Sequence, residues 1–136
     1  MTFTESERDY LASQPLGRLA TVDKNGHPQN SPVGFAYDEV SGTIEIGGWT
    51  MGTTRKFANV VTTPFASLVV DDLVSRDPWT VRGIEIRGRA EALRGQEPRN
   101  SYSSPDVIRI HPTRIISWGL DAESPGMRGR TVGREG

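Results

Sequence analysis

The residues best equipped to hold a reactive small molecule lie in one short run, Trp49-Thr50-Met51-Gly52-Thr53-Thr54-Arg55-Lys56. If Thr53 caps a helix, the first backbone N–H groups there are unpaired and carry a partial positive charge. The hydroxyls of Thr50, Thr53 and Thr54 add donors, and Gly52 lets a ligand approach the backbone closely. Arg55 and Lys56 place two full charges in the first turn. Together these groups suit a phosphate. They suit an ordinary solvated helix start equally well, and spacing alone does not separate the two. The run is not a nucleotide-binding P-loop, because the glycine-rich stretch before Lys-Ser/Thr is missing.

A second cluster is Asn30-Ser31-Pro32-Val33-Gly34. Proline inside a strand pattern marks an edge or a bulge, where freed backbone groups can bond a flat ligand or the strand can simply kink. Trp49, Trp79 and Trp118 fall at strand ends or in loops, where indole can stack on a planar ring, bury against a second subunit or pack into the core. Proton-transfer and nucleophilic groups are scarce. His27 follows a turn and is expected to be exposed, and His111, before Pro112, is expected to make a structural hydrogen bond. Ser103, Ser104, Asp106 and His111 could be strung into a hydrolase triad only on paper, since no nucleophile elbow accompanies them. The chain has no Cys, so thiolate chemistry and Cys-ligated metals are excluded, and no carboxylate–histidine cluster has metal-ligand spacing. Groups that hold a ligand without groups that transform it point to a cofactor that carries the reactive atom. No residue of the chain is assigned a catalytic role.

The elements that must position these residues are short. Thr4-Glu5-Ser6-Glu7 reads as a capping box opening a helix that ends near Ala12, before Gln14-Pro15. Residues 16–23 read as a strand, Lys24-Asn25-Gly26 as a hairpin turn, and 28–37 as the return strand. After a turn at 38–42, residues 43–49 alternate as a half-buried strand. The internal helix carries an apolar stripe of Phe57, Val60 and Val61, with Arg55, Lys56 and Asn59 off it, and Pro64 closes it. Residues 65–72 form a fully apolar strand. A loop through Arg76-Asp77-Pro78-Trp79 leads to the longest strand, 80–93, with Ile84, Ile86, Gly88, Ala90 and Ala92 on one face. A polar excursion at 94–105 precedes two strands hinged at Pro112, 106–111 and 114–120. Six to seven antiparallel strands with short helices predict a small closed all-β barrel. The division is an N-terminal helix (1–13), a barrel (14–120) and a C-terminal tail (121–136).

Composition bounds the rest. The chain has 136 residues, enough for one domain, and its 15 Gly and 9 Pro suit many turns. Sixteen basic and 17 acidic residues give a net charge of -1, which argues against a nucleic-acid binder. Fourteen of the basic residues are arginines, whose planar fork matches phosphate and carboxylate. No apolar stretch approaches the roughly 18 residues of a membrane span, and the N-terminus lacks the pattern of a signal peptide. A cytoplasmic location is the expectation.

The order of segments resembles the pyridoxamine-phosphate-oxidase-like split β-barrel superfamily, the FMN-binding split barrels. Within it, the chain looks like the class that uses the deazaflavin coenzyme F420. The resemblance rests on Gly17-Arg18-Leu19-Ala20-Thr21-Val22 followed by Gly26-His27-Pro28-Gln29, and on Arg55-Lys56 followed by Asn59-Val60 and Pro64. It rests also on Trp79 followed by Ile84-Glu85-Ile86-Arg87-Gly88-Arg89-Ala90-Glu91, and on Ile110-His111-Pro112-Thr113-Arg114-Ile115-Ile116-Ser117-Trp118-Gly119. The resemblance implies a homodimer with cofactor grooves between the subunits. Lys56 and Arg55 would hold the coenzyme phosphate with help from Thr50, Thr53 and Thr54. Backbone of Asn30, Ser31, Pro32 and Val33 would line the ring, and Trp79 would approach from the partner. The coenzyme's poly-glutamate tail would suit Arg18, Arg82, Arg128, Arg130 or Arg134. The implied reaction is hydride transfer to an electron-poor small molecule. Flavin mononucleotide (FMN) as cofactor, or a carrier without turnover, are the alternatives.

Overall fold

In the computed structural model, which describes residues 2–98, 100–121 and 126–133, Thr4 opens helix α1 (Glu5–Ser13) with a reciprocal cap. Its N–H donates to Glu7 Oε1 at 2.9 Å, and the Glu7 N–H donates to Thr4 Oγ1 at 3.2 Å. Strand β1 (Gly17–Val22) then turns into β2 (Pro28–Val33). The turn is held by the Asp23 carboxylate, which accepts from the N–H groups of Asn25 and His27 at 2.8 and 2.9 Å. Gly26 supplies the positive φ of 84° that the reversal needs.

The return segment does not run unbroken from 28 to 37. It splits at Gly34-Phe35, because β2 pairs with β1 whereas β3 (Ala36–Asp38) pairs with β4 (Thr43–Ile46). A 3-10 turn at Met51–Thr53 leads into helix α2 (Arg55–Thr62). Strand β5 (Phe65–Arg76) and β6 (Trp79–Leu93) form one long hairpin, so the pairing extends well past Asp72 into the expected loop. Strand β7 (Val107–Trp118) runs through Pro112 instead of breaking there. The irregularity is absorbed by a register shift opposite Arg87 and Gly88. A Cβ on Gly88 would sit 2.0 Å from the His111 carbonyl oxygen, so only glycine lets β6 and β7 approach there.

The strands order as β2-β1-β5-β6-β7-β4-β3. Both ends of that path are consecutive in the chain, two residues apart, yet they share no ladder. The sheet therefore rolls up without closing and leaves a seam between β2 and β3, the split barrel in place of the closed one. Its inner face carries Leu19, Ile44, Ile46, Leu68, Ile84, Ile86, Ile108, Ile110 and Ile115, all essentially without solvent exposure. Helix α2 packs on β1, β6 and β7 through Phe57 and Val60.

Two expectations about the periphery change. Val61 is not part of the buried stripe but 65% exposed, while Asn59 is only 5% exposed. The Asn59 amide donates to Thr21 Oγ1 at 3.0 Å and to Gln29 Oε1 at 2.8 Å, so a polar side chain ties α2 to the first hairpin. Asn59→Ala is expected to cost about 1.5 kcal/mol, read by urea denaturation, because two acceptors lose their donor. A variant as stable as the parent would show that water replaces the amide freely.

The C-terminal segment expected as a tail contains a strand, β8 (Met127–Thr131), paired with β7 from Arg114 to Trp118. Arg130 on it reaches Glu7 of α1 through two hydrogen bonds of 2.7 Å and donates to the Thr2 carbonyl at 2.8 Å. Among the described residues no helix is long and apolar enough to cross a membrane.

Candidate functional site

The start of α2 is capped by Thr54, not Thr53. Its hydroxyl accepts from the Phe57 N–H at 3.3 Å and donates to the Met51 carbonyl at 2.7 Å. The Thr53 hydroxyl donates to the Thr50 carbonyl at 2.9 Å. Both hydroxyl protons are thus spent on shaping the turn. The free donors are the N–H groups of Arg55 and Lys56, which no helical carbonyl can reach. Gly52 also has a different task from the one expected. A Cβ there would lie 2.0 Å from Asp106 Oδ2, so the glycine admits the Asp106 carboxylate. Asp106 pairs with Arg94 at 3.3 Å, and the Arg94 guanidinium lies 4.7 Å over the Phe57 ring. The turn is braced from behind by an ion pair and a cation–π contact.

In front of it lies a groove of about 450 Å³. One wall is Thr53, Thr54, Arg55 and Ala58; the other is the β1–β2 turn with Asp23, Lys24 and Asn25. Asn59 forms part of the lining, so the amide that ties helix to hairpin also sets the width. Among the described residues Arg55 and Lys24 have no ion-pair partner. The Asp23 carboxyl is held below its ordinary range by the N–H groups of His27 and Asn25, so it stays ionised, its Oδ1 occupied by the turn. Lys56, one position further round the helix, does not line this groove. Lys24 reads in the sequence only as a turn residue beside Asn-Gly, and becomes a groove residue because α2 packs on that turn.

The β2 edge is the second feature. Backbone groups along an antiparallel strand alternate between the ladder and the open side. Proline has no N–H to give, so Pro28 and Pro32 occupy positions that face away from β1. Asn30 lies midway between them in the same parity. Its N–H and carbonyl, with the carbonyls of Pro28 and Pro32, therefore line the seam as one donor among three acceptors. Ser31 and Val33 point to the other side. The Ser31 hydroxyl is buried without a hydrogen-bond partner among the described residues, as is that of Tyr37 across the seam.

The remaining sequence candidates are dispersed. Trp49 lines a separate groove with Phe35 and Tyr102. Trp79 sits at the far end of the β5–β6 hairpin, 70% exposed. Trp118 is half-buried against Gly83. His111 Nε2 lies 2.6 Å from Glu91 Oε1, and this contact holds the Glu91 carboxyl low. Ser103 donates to Asn100 and Ser104 accepts from the Asp106 N–H, so no triad forms. Three arginines considered for a polyanionic tail are engaged inside the fold: Arg18 with Asp71, Arg82 with Asp72 at 2.8 Å, and Arg130 with Glu7. Arg128 lines a groove between α1 and the β7–β8 pair, and Arg134 lies outside the described residues.

A rolled, unclosed antiparallel sheet with two short helices agrees with the comparison to known families. Residues 3–133 match the family model described as pyridoxamine 5'-phosphate oxidase. The chain belongs to that family. It is 46% identical to the 5a,11a-dehydrotetracycline/5a,11a-dehydrooxytetracycline reductase of Streptomyces rimosus, over 99% of this chain and 96% of that protein. Oxidoreductase chemistry is accordingly the activity of this pyridoxamine 5'-phosphate oxidase family member. Two solved structures share the fold at low identity. One is a heme-binding protein from Mycobacterium smegmatis (TM-score 0.68, 18% identity), of whose length this chain spans 60% while 96% of this chain is covered. The other is a pyridoxamine 5'-phosphate oxidase-related, FMN-binding protein from Nostoc punctiforme (TM-score 0.62, 12% identity, 98% of this chain and 100% of that one).

Proposed function

We propose that this chain is a reductase that uses the reduced deazaflavin coenzyme F420 to saturate a carbon–carbon double bond conjugated to a carbonyl. The observation that carries the reductase reading is the 46% identity, over nearly the whole of both chains, to a dehydrotetracycline reductase; the choice of F420 rests on the resemblance of the closing segment to the deazaflavin class. The groove and the seam would supply the parts such a reductase needs. Arg55, with the N–H groups of Arg55 and Lys56, would hold the coenzyme phosphate, and Lys24 would face it from the β1–β2 turn. Lys56 adds charge to the helix start, and Thr50, Thr53 and Thr54 keep the backbone donors aimed outward. Asn30 and Pro32 on the seam would bond the edge of a flat ring, with Ser31 and Val33 beneath it. The Arg55 and Lys24 charges, which face the groove without an ion-pair partner among the described residues, suit the phosphate of such a molecule. Trp79, out on its hairpin, would reach the groove of a second copy, making the working unit a homodimer.

A bound reduced coenzyme would supply two-electron hydride chemistry for the β-carbon of the acceptor, the α-carbon being protonated from water and the coenzyme's own N–H proton returning to solvent, so that the net change is addition of two hydrogens to the double bond. The chain's own part is to align ring and acceptor and to keep bulk water out. It needs no strong acid.

The test is oxidation of reduced F420 by a dehydrotetracycline-type enone, followed by the return of deazaflavin absorbance. Consumption above the protein-free rate is expected. Tight FMN binding without F420 binding would shift the reading to FMN, which the FMN-binding Nostoc fold favours as second choice. F420 binding without turnover of any enone would leave a carrier. Light scattering checks the dimer: a stable monomer at micromolar concentration contradicts a shared groove.

A further inference from the structure

We propose that the groove lined by Phe35, Trp49 and Tyr102 is the subsite for the hydride acceptor, shaped for a flat fused-ring molecule. This rests on the reading of the chain as a reductase, and it places that reductase's substrate. The groove measures about 370 Å³, within the range of small-molecule pockets. Trp49 is 76% exposed and Tyr102 72% exposed, yet both line one concavity. Two large aromatic side chains left uncovered at a cleft are stacking surfaces in want of a planar guest.

The glycines argue the same way. Gly34, Gly47 and Gly48 line the groove, and none has a positive φ. A Cβ on Gly34 or Gly47 would meet nothing within 4 Å, and one on Gly48 would meet only Met51 Cε at 4.0 Å. Neither backbone conformation nor packing therefore demands glycine at these positions. What their missing side chains leave is a flat, open floor. The wall opposite is held in place, because the Ser104 N–H donates to the Gly48 carbonyl at 2.7 Å and so ties the loop bearing Tyr102 to the end of β4.

Position completes the case. Gly34, Phe35 and Ala36 follow directly on Asn30–Val33, so the groove begins where the seam edge ends. A ring bonded to that edge has this groove as its neighbour, and hydride transfer requires the two reacting carbons at about 3–3.5 Å. Trp49, a cofactor candidate by its place in the sequence, lines the acceptor groove and not the one beside Arg55.

The experiment is equilibrium binding of oxytetracycline, a fused four-ring ketone, to the full-length chain, with and without oxidised F420, followed by ligand fluorescence. Binding is expected, weakened at least tenfold by Gly47→Val, which fills the floor, and by Trp49→Ala, which removes a wall. Thermal unfolding checks that Gly47→Val folds, and the solvent-exposed Trp49 can be removed without touching the core. Val40→Ala, at an exposed turn away from the groove, is expected to bind as the parent does. No binding by the parent, or both groove variants within twofold of it, would overturn the proposal. So would F420 affinity falling in step with oxytetracycline affinity in Gly47→Val, which would give the groove to the coenzyme. Dissociation of a dimer by Trp49→Ala would overturn it too, by showing a subunit contact. Parent protein that binds oxytetracycline but never oxidises reduced F420 would sink the F420-dependent reading and leave the groove standing.

Discussion

Arg130→Ala is expected to lower the unfolding free energy by about 3 kcal/mol, the low end of the cost of stranding a buried charge because Arg130 itself is partly exposed. Glu7 is 3% exposed, and its carboxylate is satisfied by Arg130 and the Thr4 N–H. Burial alone would push its carboxyl up; the Arg130 hydrogen bonds, the Thr4 N–H and the Arg130 charge outweigh burial and hold it below its ordinary value. A lowered folded-state value stabilises the protein above the unfolded-state value, near pH 4.5, and that contribution is lost as pH falls through the folded one. The variant reverses the sign. Without the guanidinium, burial dominates, and protonating Glu7 relieves an unpaired buried charge. The stability gap between parent and variant is therefore widest at pH 7 and narrows toward pH 3.5, measured by urea denaturation at each pH. A gap below about 1 kcal/mol at pH 7 would show that the contact between β8 and α1 contributes only as an exposed pair does.

Arg55→Ala is expected to weaken F420 binding by about 2 kcal/mol, near thirtyfold, the loss of a charge-assisted bond to phosphate. Lys56→Ala should cost less, about 1 kcal/mol, since Lys56 contributes charge at the helix start without lining the groove. Deazaflavin fluorescence titration gives both values. The order matters as much as the size. If Lys56→Ala is the more damaging, the phosphate lies on the other side of the helix start, away from Lys24. Rising salt should shrink both effects, because Arg55 is exposed and Lys56 half-exposed.

How much could be read without coordinates depended on the distance between partners along the chain. The Thr4–Glu7 cap and the Asn25-Gly26 turn were legible because donor and acceptor stand within four residues, where backbone geometry alone brings them together. The inward face of β6 was legible because strand side chains alternate regardless of what they pack against. Thr53 and Thr54 could not be ranked as caps, because either hydroxyl can serve; the 3-10 turn at Met51–Thr53 decides it. Asn59 reads as a solvent residue on a helical wheel. It is buried because Thr21 and Gln29, 38 and 30 residues earlier, meet its amide.

The amino-acid order by itself thus determined the cap, the turns, the alternating faces and the run of donors around Arg55, all set by short-range sterics and hydrogen bonding. The tertiary structure alone decided where the sheet fails to close, which turn faces α2, and that Trp49 and Tyr102 border one groove. It also decided that Arg130, 123 residues from Glu7, joins the two ends of the chain. Such pairings depend on how the rolled sheet brings distant strands together, and no local preference of the residues encodes that meeting.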